Sequence, residues 1–580
     1  AAAAADALAS TGEEAEIAGE AFAGLSAEEA AVEKGEREEE AGEEGAEEEE
    51  EEEHFTTSDV EVACMLLGSV TFVMSLFCLV NYPDDDIRRY TWKIISSTIS
   101  IFTAVLLFQG INEWVRIKLE DVSELTRCAI TFAHCLVYLI CLQVQIGWLS
   151  GAMFEYEAVD LEEKEWVIAD SMLAEYGNVV KENEVRNPKG QKSVTLMFGS
   201  MEVAVQRRPV EKEKRMRRMR CWATLLAHMA GFAAINAGGS LQHLEMFAAS
   251  PWMACVPIAV VMAAILAVFQ LSAAFRALRK RAAADAGRAG VRAHLFDEEV
   301  SEAENDILSL CTSFLVVQVV RFALLGTLPN EEGLVEPEQP QPWSKIAMLY
   351  GAGLLFASLA AVLMAAMARR AGEGGESEDS RGLATLLNTC GMCFAWCCLW
   401  GTRCVCVRLP VFDMQSMMGR VMLALLLSAV TCGAVFLLDI ISDTMAASGG
   451  SLAGQARVIQ VVIGALSILV GFSWEHTFDL GVAAVASLTS HPEVVKLALG
   501  LAVAAVIVPN WRRHILTKAM MLEQLKAEKE RAAEEALEQH SLEDRGWGGH
   551  GHEPGNSQDH STDSRDGLMC CGRAVSRSRD

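Results

Sequence analysis

The stretch Gly471–Asp479, GFSWEHTFD, lies inside a long apolar segment, residues 458–487. It places Glu475, His476 and Asp479 within a segment whose length and composition predict a membrane-spanning helix. Residues four apart share one face of an α-helix, so Gly471, Glu475 and Asp479 form one stripe. Ionisable side chains at membrane depth are costly and usually functional. The stretch therefore indicates a helical membrane protein and supplies the first functional hypothesis.

Two carboxylates one turn apart repel each other when both are ionised, and a low dielectric strengthens that repulsion. We therefore predict that Glu475 and Asp479 bind a proton or a small cation, and that His476 tunes or relays it. Arg321 lies in the middle of the apolar run FLVVQVVRFALL and requires an acidic partner. The available acids are Asp439, Glu475 and Asp479, and we predict a supporting pair with Asp439. The alternative is that these charges only fix helix packing or lie at the wet edge of the membrane.

Apolar segments of about 20 residues, each able to cross a hydrocarbon core roughly 30 Å thick, recur along the chain. We count eleven and predict an all-α polytopic membrane protein. The predicted spans are residues 60–81, 92–114, 128–152, 221–241, 252–271, 307–328, 346–367, 383–404, 417–441, 458–487 and 494–509.

Polar segments divide these spans into groups. Residues 1–57 are Glu-rich, and we expect a disordered tail there; the absence of an initial Met suggests that residues precede Ala1. In the insert, SVTLMF and MEVAVQ favour a strand pair. Residues 515–539 favour a soluble helix or short coiled coil, which leaves a homo-oligomer open. The predicted divisions are 58–153 (spans one to three), 154–220 (cytoplasmic insert), 221–510 (spans four to eleven), 511–540 (amphipathic helix) and 541–580 (disordered tail).

The formal net charge of −30 is concentrated in the acidic N-terminal tail and gives no indication of a nucleic-acid partner. Basic segments fall on one side of the membrane if the N-terminus is non-cytoplasmic and the C-terminus is cytoplasmic. We predict this topology for an integral membrane protein. Besides the lipid bilayer, the predicted partners are anionic lipids at Arg207–Arg220 and Arg276–Arg292.

Two internal similarities predict a repeated helical hairpin. AVLLFQGINE (residues 104–113) is similar to AVFLLDIISD (434–443). GFAAINAGG (231–239) and CFAWCCLWG (393–401) align with GFSWEHTFD, so that Phe232, Phe394 and Phe472 coincide. Chance similarity among membrane helices is the alternative, because such helices use a small set of residue types. A true repeat matters because many transporters bind their substrate between repeated units.

Absent motifs narrow the function. The chain contains no GxxxxGK[ST], GxSxG or HExxH, so we predict neither an ATP motor nor an enzyme. Cys390, Cys393 and Cys397 share a helix face, which we interpret as packing, and we predict no metal or cofactor.

The leading functional hypothesis is a secondary transporter or channel-like protein for protons, small cations or a small solute. The alternative is a non-transporting membrane scaffold or sensor that acts through its insert and C-terminal helix. The two differ in whether the acids of the ninth and tenth spans meet in a water-accessible cavity.

Overall fold

The computed structural model divides the chain into two units, residues 1–63 and 64–580. Of the first unit it describes only residues 57–63, which begin the first helix. The predicted disordered tails and most of the insert lie outside the described residues. The described residues are 57–119, 122–153, 178–181, 193–198, 201–206, 210–285, 291–335, 339–372, 379–409, 413–414, 416–447 and 452–528.

Long helices dominate the described part of the chain and confirm an all-α polytopic membrane protein. Nine of the described helices are long and apolar enough to cross a membrane. The count of eleven is not confirmed. The helices are α1 (Thr57–Val80), α2 (Asp85–Lys118), α3 (Glu124–Ser150), α4 (Val210–Gln242), the short α5 (Glu245–Ala248), α6 (Pro251–Asp285), α7 (Val291–Leu325), α8 (Trp343–Gly372), α9 (Asp379–Arg408), α10 (Met417–Ala447), α11 (Leu452–Ser487) and α12 (Pro492–Asn510).

The other two predicted spans fall on α1 and α4. Helix α1 has 24 residues, and within it residues 70–80 are described as an apolar helical segment. Helix α4 carries polar side chains, including His228 and Asn236, among its apolar residues. These side chains make the mean hydropathy of α4 lower than that of the nine membrane-spanning helices.

Helix ends follow the local sequence. Asp84 begins α2, and its side chain accepts hydrogen bonds from the backbone N–H groups of Asp86 and Ile87. The Ser123 side chain accepts from the Thr126 N–H and begins α3, and Gly151 ends that helix at a φ of 72°. Capping thus satisfies the backbone groups that a helix terminus leaves unpaired.

Five helices form a closed ring in which every neighbour packs on the next. The order around the ring is α2, α4, α7, α9 and α11, and α11 packs again on α2. Successive long helices alternate in direction, so these five run the same way. In α2, α7, α9 and α11, 50–72 % of the most apolar 18-residue segment is buried inside the protein.

The returning helices lie outside this ring. The buried share of the corresponding 18-residue segment is only 17–44 % in the outer helices, which are α3, α6, α8, α10 and α12. Helix α3 packs on α4 and α7, α8 on α9, α10 on α11, and α12 on α2. Leu, Val and Phe side chains remain exposed on these helices, as a lipid-facing surface requires. The membrane-facing surface is therefore provided mainly by the outer helices.

A small antiparallel sheet lies in the insert. Strand β1 (Asn178–Lys181) pairs with β2 (Ser193–Phe198), and β2 pairs with β3 (Met201–Gln206). Strands β2 and β3 coincide with the two segments, SVTLMF and MEVAVQ, in which the sequence predicts a strand pair.

The chain continues past α12 through a π-helical turn, Trp511–Ile515, into a helix that is described to residue 528. The Trp511 indole donates to the Ser96 hydroxyl at 2.9 Å, and Arg217 donates to the Thr517 hydroxyl at 2.9 Å. The first half of the predicted amphipathic helix therefore docks on α2 and α4. Residues 529–540 lie outside the described residues.

Close packing of α11 on α2 depends on Gly471. A β-carbon at residue 471 would lie 3.1 Å from the Ile101 Cβ and 3.3 Å from the Thr98 carbonyl oxygen. A β-carbon at Gly464, two turns earlier on the same helix, would meet no atom within 4 Å. The two glycines therefore form a matched pair that differs in packing.

We expect Gly471→Val to lower the free energy of unfolding by about 1–3 kcal/mol, because the added side chain overpacks the contact between α11 and α2. Gly464→Val is the control and should leave stability nearly unchanged. Thermal unfolding of both variants in detergent measures the difference. Equal stability of the two variants would contradict this packing.

Candidate functional site

A cavity of about 420 Å³ lies on the axis of the helix ring. All five ring helices line it, and the helix that follows the π-helical turn lines its mouth. We call this the axial cavity. Its polar and charged lining residues are Lys93, Ser96, Ser97, Ser100, Arg220, Thr224, His228, Glu302, Asp306, Asn388, Ser467 and Glu523.

Helical periodicity explains how so many polar groups reach one cavity. Arg220, Thr224 and His228 follow one another at intervals of one turn along α4. Lys93, Ser97 and Ser100 form a similar stripe on α2. Each stripe has a charged residue at the mouth and neutral hydrogen-bonding groups deeper inside. The cavity is therefore charged at its entrance and mainly neutral in its interior.

The mouth lies at the end of the bundle that carries Arg217, Arg220, Arg512 and Lys518, which we call the basic end. Arg220 forms a bidentate ion pair with Glu302 and lies 3.7 Å from Glu299. Lys93 pairs with Glu523 at 2.5 Å. Both cationic residues of the cavity are therefore already paired with carboxylates.

The polar side chains deeper in the axial cavity form fewer hydrogen bonds and ion pairs than those at its mouth. The Ser100 hydroxyl lies 3.3 Å from Nδ1 of His228, which connects α2 to α4. Asp306 lies one turn below Glu302 on α7 and lines the cavity. Within the described part of the chain, no hydrogen bond or ion pair is formed by the Asp306 carboxylate.

An aromatic layer closes the inner end of the axial cavity. The deepest lining residues on four helices are His228, Leu310, Met392 and Ile468. One turn beyond each of them stands an aromatic residue. Phe472 contacts the others, with ring centroids 6.0 Å from Phe232, 6.5 Å from Phe314 and 5.0 Å from Trp396.

Two of the three phenylalanines that align in the internal similarity lie together in the aromatic layer, and the third does not. Phe232 and Phe472, together with Phe314, meet in the aromatic layer. Phe394 does not take part in those ring contacts and lies beside Gly353 of α8. On α9 the aromatic contact is made instead by Trp396, whose indole donates to the Ser313 hydroxyl at 3.2 Å.

Polar residues return on the far side of the aromatic layer. One turn beyond the layer lie Asn236, Gln318 and His476. The Asn236 amide donates to Asn112 at 3.0 Å, and the Gln318 amide donates to the Asn330 carbonyl at 2.9 Å. The axis of the ring is thus polar, then aromatic, then polar again.

A loop inserts into this opposite end of the ring. Arg321 donates to the Gly333 carbonyl at 2.6 Å, and its guanidinium lies 4.1 Å from the centre of the Trp400 ring. Gly333 has a φ of +84°, and a β-carbon there would lie 2.4 Å from the Trp400 ring and 3.1 Å from Phe314. Residues 330–334, the cap loop, therefore rest directly on the aromatic layer.

The predicted stripe on α11 faces the ring wall rather than the axis. Gly471 packs on Ile101 of α2, and Glu475 lies one turn further along the same face. Glu475 is fully buried, and neither of its carboxyl oxygens has a hydrogen-bond partner among the described residues. His476 instead packs its ring against Phe472, with centroids 4.4 Å apart.

Asp479 has a cationic partner that the sequence did not indicate. Lys496 of α12 lies 2.7 Å from its carboxylate, and both side chains are about four-fifths buried, with 16 % and 21 % of their area exposed. Glu332, in the cap loop, lies near this pair. Displacement of water by the surrounding protein raises the pKa of the Glu332 carboxyl, and the Asp479 carboxylate raises it further.

The structure does not bring Arg321 and Asp439 together. Arg321 lies at the cap loop, whereas Asp439 lies one turn beyond Phe436, whose ring contacts Tyr82 at 5.5 Å. Asp84 and Asp86, which lie at the start of α2 at the basic end, are close enough to repel the Asp439 carboxylate, as is Asp443. The predicted supporting pair is therefore wrong, because α7 and α10 place the two residues at opposite ends of the bundle. The acids of the ninth and tenth spans accordingly do not meet in a cavity.

The two basic segments predicted to bind anionic lipid also form internal ion pairs. Arg276 pairs with Glu304 at 2.7 Å and with Asp297 at 3.0 Å, and only 4 % of its side chain is exposed. Arg220 pairs with Glu302, as described above. These two arginines are therefore engaged within the protein, and lipid contact at these segments depends on their other basic residues.

Lys496, Asp306 and the cap loop have no signal in the sequence that marks them as parts of a site. The i, i+4, i+8 spacing of Arg220, Thr224 and His228 was a readable signal for an inward-facing polar stripe. Within the described residues, no group of three or more His, Cys, Asp or Glu side chains is arranged to hold a metal ion. The Cys393 thiol is buried and donates to the Ser313 carbonyl at 3.7 Å.

Comparisons with protein-family models, with curated proteins and with solved structures find no match for this chain.

The Asp479–Lys496 pair allows a direct test of the site. We expect Lys496→Met to lower the free energy of unfolding by about 1–3 kcal/mol, because it leaves a mostly buried carboxylate unpaired. The double variant Asp479→Asn/Lys496→Met should recover most of that loss. Glu298→Gln, in an exposed pair with His294, serves as the control. Additive effects in this double-mutant cycle, measured by thermal unfolding, would show that the pair is not coupled.

Proposed function

We propose that this protein is a secondary transporter that moves a small polar solute or cation through its five-helix ring. The observation that carries the proposal is the axial cavity, which opens at the basic end and stops at the aromatic layer. A membrane protein gains nothing in stability from a polar cavity on its axis, because polar groups at membrane depth are costly. A transport path explains that cost.

The two ends of the ring fit one state of an alternating-access cycle. The basic end is open to the axial cavity, whereas the opposite end is closed by the aromatic layer and by the cap loop. Transport then requires the layer and the loop to part while the mouth closes, as in transporters that gate around a fixed central site. The ion pairs Lys93–Glu523 and Arg220–Glu302 lie at the mouth, where helices would move closer together as the mouth closes.

Glu475 is the proposed coupling group. An ionised carboxylate without a partner is strongly unfavourable in a buried site. Glu475 therefore carries a proton or is joined by a cation, and its exchange with the pathway couples transport to an ion gradient. Asp479, held by Lys496, keeps a second carboxylate nearby, and His476 links this face of α11 to the axis.

A repeated hairpin is part of the proposal. Each ring helix is followed by an outer helix, which gives five helical hairpins, beginning at α2, α4, α7, α9 and α11. The similarity among 231–239, 393–401 and 471–479 falls on three ring helices that run in the same direction. The similarity of 104–113 with 434–443 joins a ring helix to an outer helix of opposite direction, so it does not support the same repeat.

The acids of the ninth and tenth spans do not meet in a cavity, and on that criterion alone the scaffold alternative is favoured. The axial cavity, which other residues line, favours transport instead. The C-terminal helix, which that alternative needs as a partner-binding element, packs on α2 and α4 as far as residue 528. We place the basic end in the cytoplasm, because positively charged segments favour that side. The C-terminus is then cytoplasmic and the N-terminus non-cytoplasmic.

We expect Glu475→Gln to abolish proton flux in proteoliposomes under an imposed pH gradient, because the side chain can no longer take up and release a proton. Glu475→Asp should retain part of the flux of the unmodified protein. Glu298→Gln is the control and should not change it. Flux is followed with an internal pH-sensitive dye, and thermal unfolding checks that each variant is folded. Unchanged flux in folded Glu475→Gln protein would remove Glu475 from the mechanism, and no flux in the unmodified protein would favour a scaffold.

The topology has its own test. We expect a membrane-impermeant maleimide to label Ser97→Cys in inside-out vesicles but not in intact cells, because the axial cavity opens toward the cytoplasm. Ser487→Cys, at the exposed end of α11, should show the reverse pattern. Mass spectrometry of the labelled peptide separates each new thiol from the native cysteines. Failure of Ser97→Cys to react from either side would contradict a water-filled cavity.

A further inference from the structure

The charges that line the axial cavity are not balanced. Its carboxylates are Glu302, Asp306 and Glu523, and its fixed cations are Lys93 and Arg220. Glu302 is paired with Arg220, and Glu523 is paired with Lys93. After pairing, Asp306 is the carboxylate that remains. An anionic solute entering this cavity would meet no free cation and would be repelled by Asp306.

Asp306 is held where a ligand can reach it. It lies one turn inside the ion-paired mouth, on the ring helix α7, and lines the cavity. Among the described residues, none donates a hydrogen bond to its carboxylate. A carboxylate removed from bulk water requires a donor or a cation. This side chain therefore favours a cationic ligand.

The groups around Asp306 are neutral and able to form hydrogen bonds. Ser97, Thr224 and Asn388 line the same cavity. His228 contacts the Ser100 hydroxyl rather than an acid. Hydroxyl and amide groups both donate and accept hydrogen bonds, so they suit a ligand that carries polar atoms besides its charge. Leu310, Met392 and Ile468 at the base of the cavity offer apolar contact.

The cavity volume favours an organic cation over a bare metal ion. A water molecule occupies about 30 Å³ in the liquid, so a bare monovalent ion would leave most of the cavity to solvent. Sites for small organic ligands have volumes of roughly 300–1,000 Å³, and this cavity of about 420 Å³ lies within that range.

We infer that the axial cavity binds a small organic solute bearing an ammonium group, with Asp306 as its counter-ion. This inference rests on the proposed function in naming the solute as the transported species. The ammonium N–H groups donate to the Asp306 carboxylate, and the neutral side chains bind the remaining polar atoms. The binding site itself requires no movement of the aromatic layer.

Binding to the full-length protein in detergent tests the inference. The probes are ethanolamine and putrescine as amines, ethylene glycol as the uncharged analogue of ethanolamine, and glycolate as the anionic analogue. Calorimetric titration at neutral pH, where both amines are protonated, measures the affinity of each probe. We expect saturable binding of at least one amine and none of the glycol or glycolate.

Variants locate the site. Asp306→Asn should weaken amine binding by about tenfold or more, because a charge-assisted hydrogen bond becomes a neutral one. Asp306→Glu should restore part of the affinity. Glu298→Gln, on the same helix but outside the cavity, should bind like the unmodified protein. Equal unfolding temperatures without probe would show that Asp306→Asn is folded.

Four results would overturn the inference. They are no saturable binding of either amine, equal binding of ethylene glycol, full affinity in Asp306→Asn, or displacement of the amines by sodium at equal concentration. Because this experiment needs no membrane gradient, it separates the two proposals. If an amine binds but its addition to the proteoliposomes produces no flux, transport is refuted and the site remains, whereas proton flux without amine binding would refute the site alone.

Discussion

The structure depends on one constraint, which is that polar side chains on membrane helices must be kept away from lipid. Ring helices concentrate their polar groups on the face that points to the axis, and outer helices cover the seams between them. The ring helices are therefore more buried than the outer helices, which face lipid. A closed ring, unlike a flat row of helices, keeps these polar groups away from lipid on every side.

Close contact between α11 and α2 closes that ring. Gly471 lets α11 approach the backbone of α2, and this brings Glu475 into a fully buried position on the same face. Phe472, the next residue in sequence after Gly471, points about 100° away and forms the centre of the aromatic layer. One short stretch of α11 thus supplies both the contact that closes the ring and the barrier that closes the cavity.

The fold class and most helix positions could be predicted from the sequence, because length and hydropathy fix which segments cross a membrane. The burial of Glu475 could also be anticipated from the apolar residues on either side of it. The partners of these groups could not be predicted. Lys496 follows Asp479 by seventeen positions and belongs to another helix, and Arg321 contacts a loop that has no periodic pattern. The Arg321–Asp439 pair is wrong because α7 and α10 run in opposite directions, so each residue, although near the C-terminal end of its own helix, lies at a different end of the bundle.

Helix α7 contributes a residue to each of the three regions along the ring axis, which are the axial cavity, the aromatic layer and the end closed by the cap loop. It carries Asp306 in the cavity, Phe314 in the aromatic layer, and Gln318 and Arg321, which hold the cap loop. A helix is stiff along its axis because its backbone hydrogen bonds run in that direction. A shift or rotation of α7 that accompanies ligand binding at Asp306 would therefore act on Phe314 and on the Arg321–Gly333 hydrogen bond together. Helix α7 thus holds the proposed ligand site and the closed end on one rigid element, which is the coupling that the proposed alternating access requires.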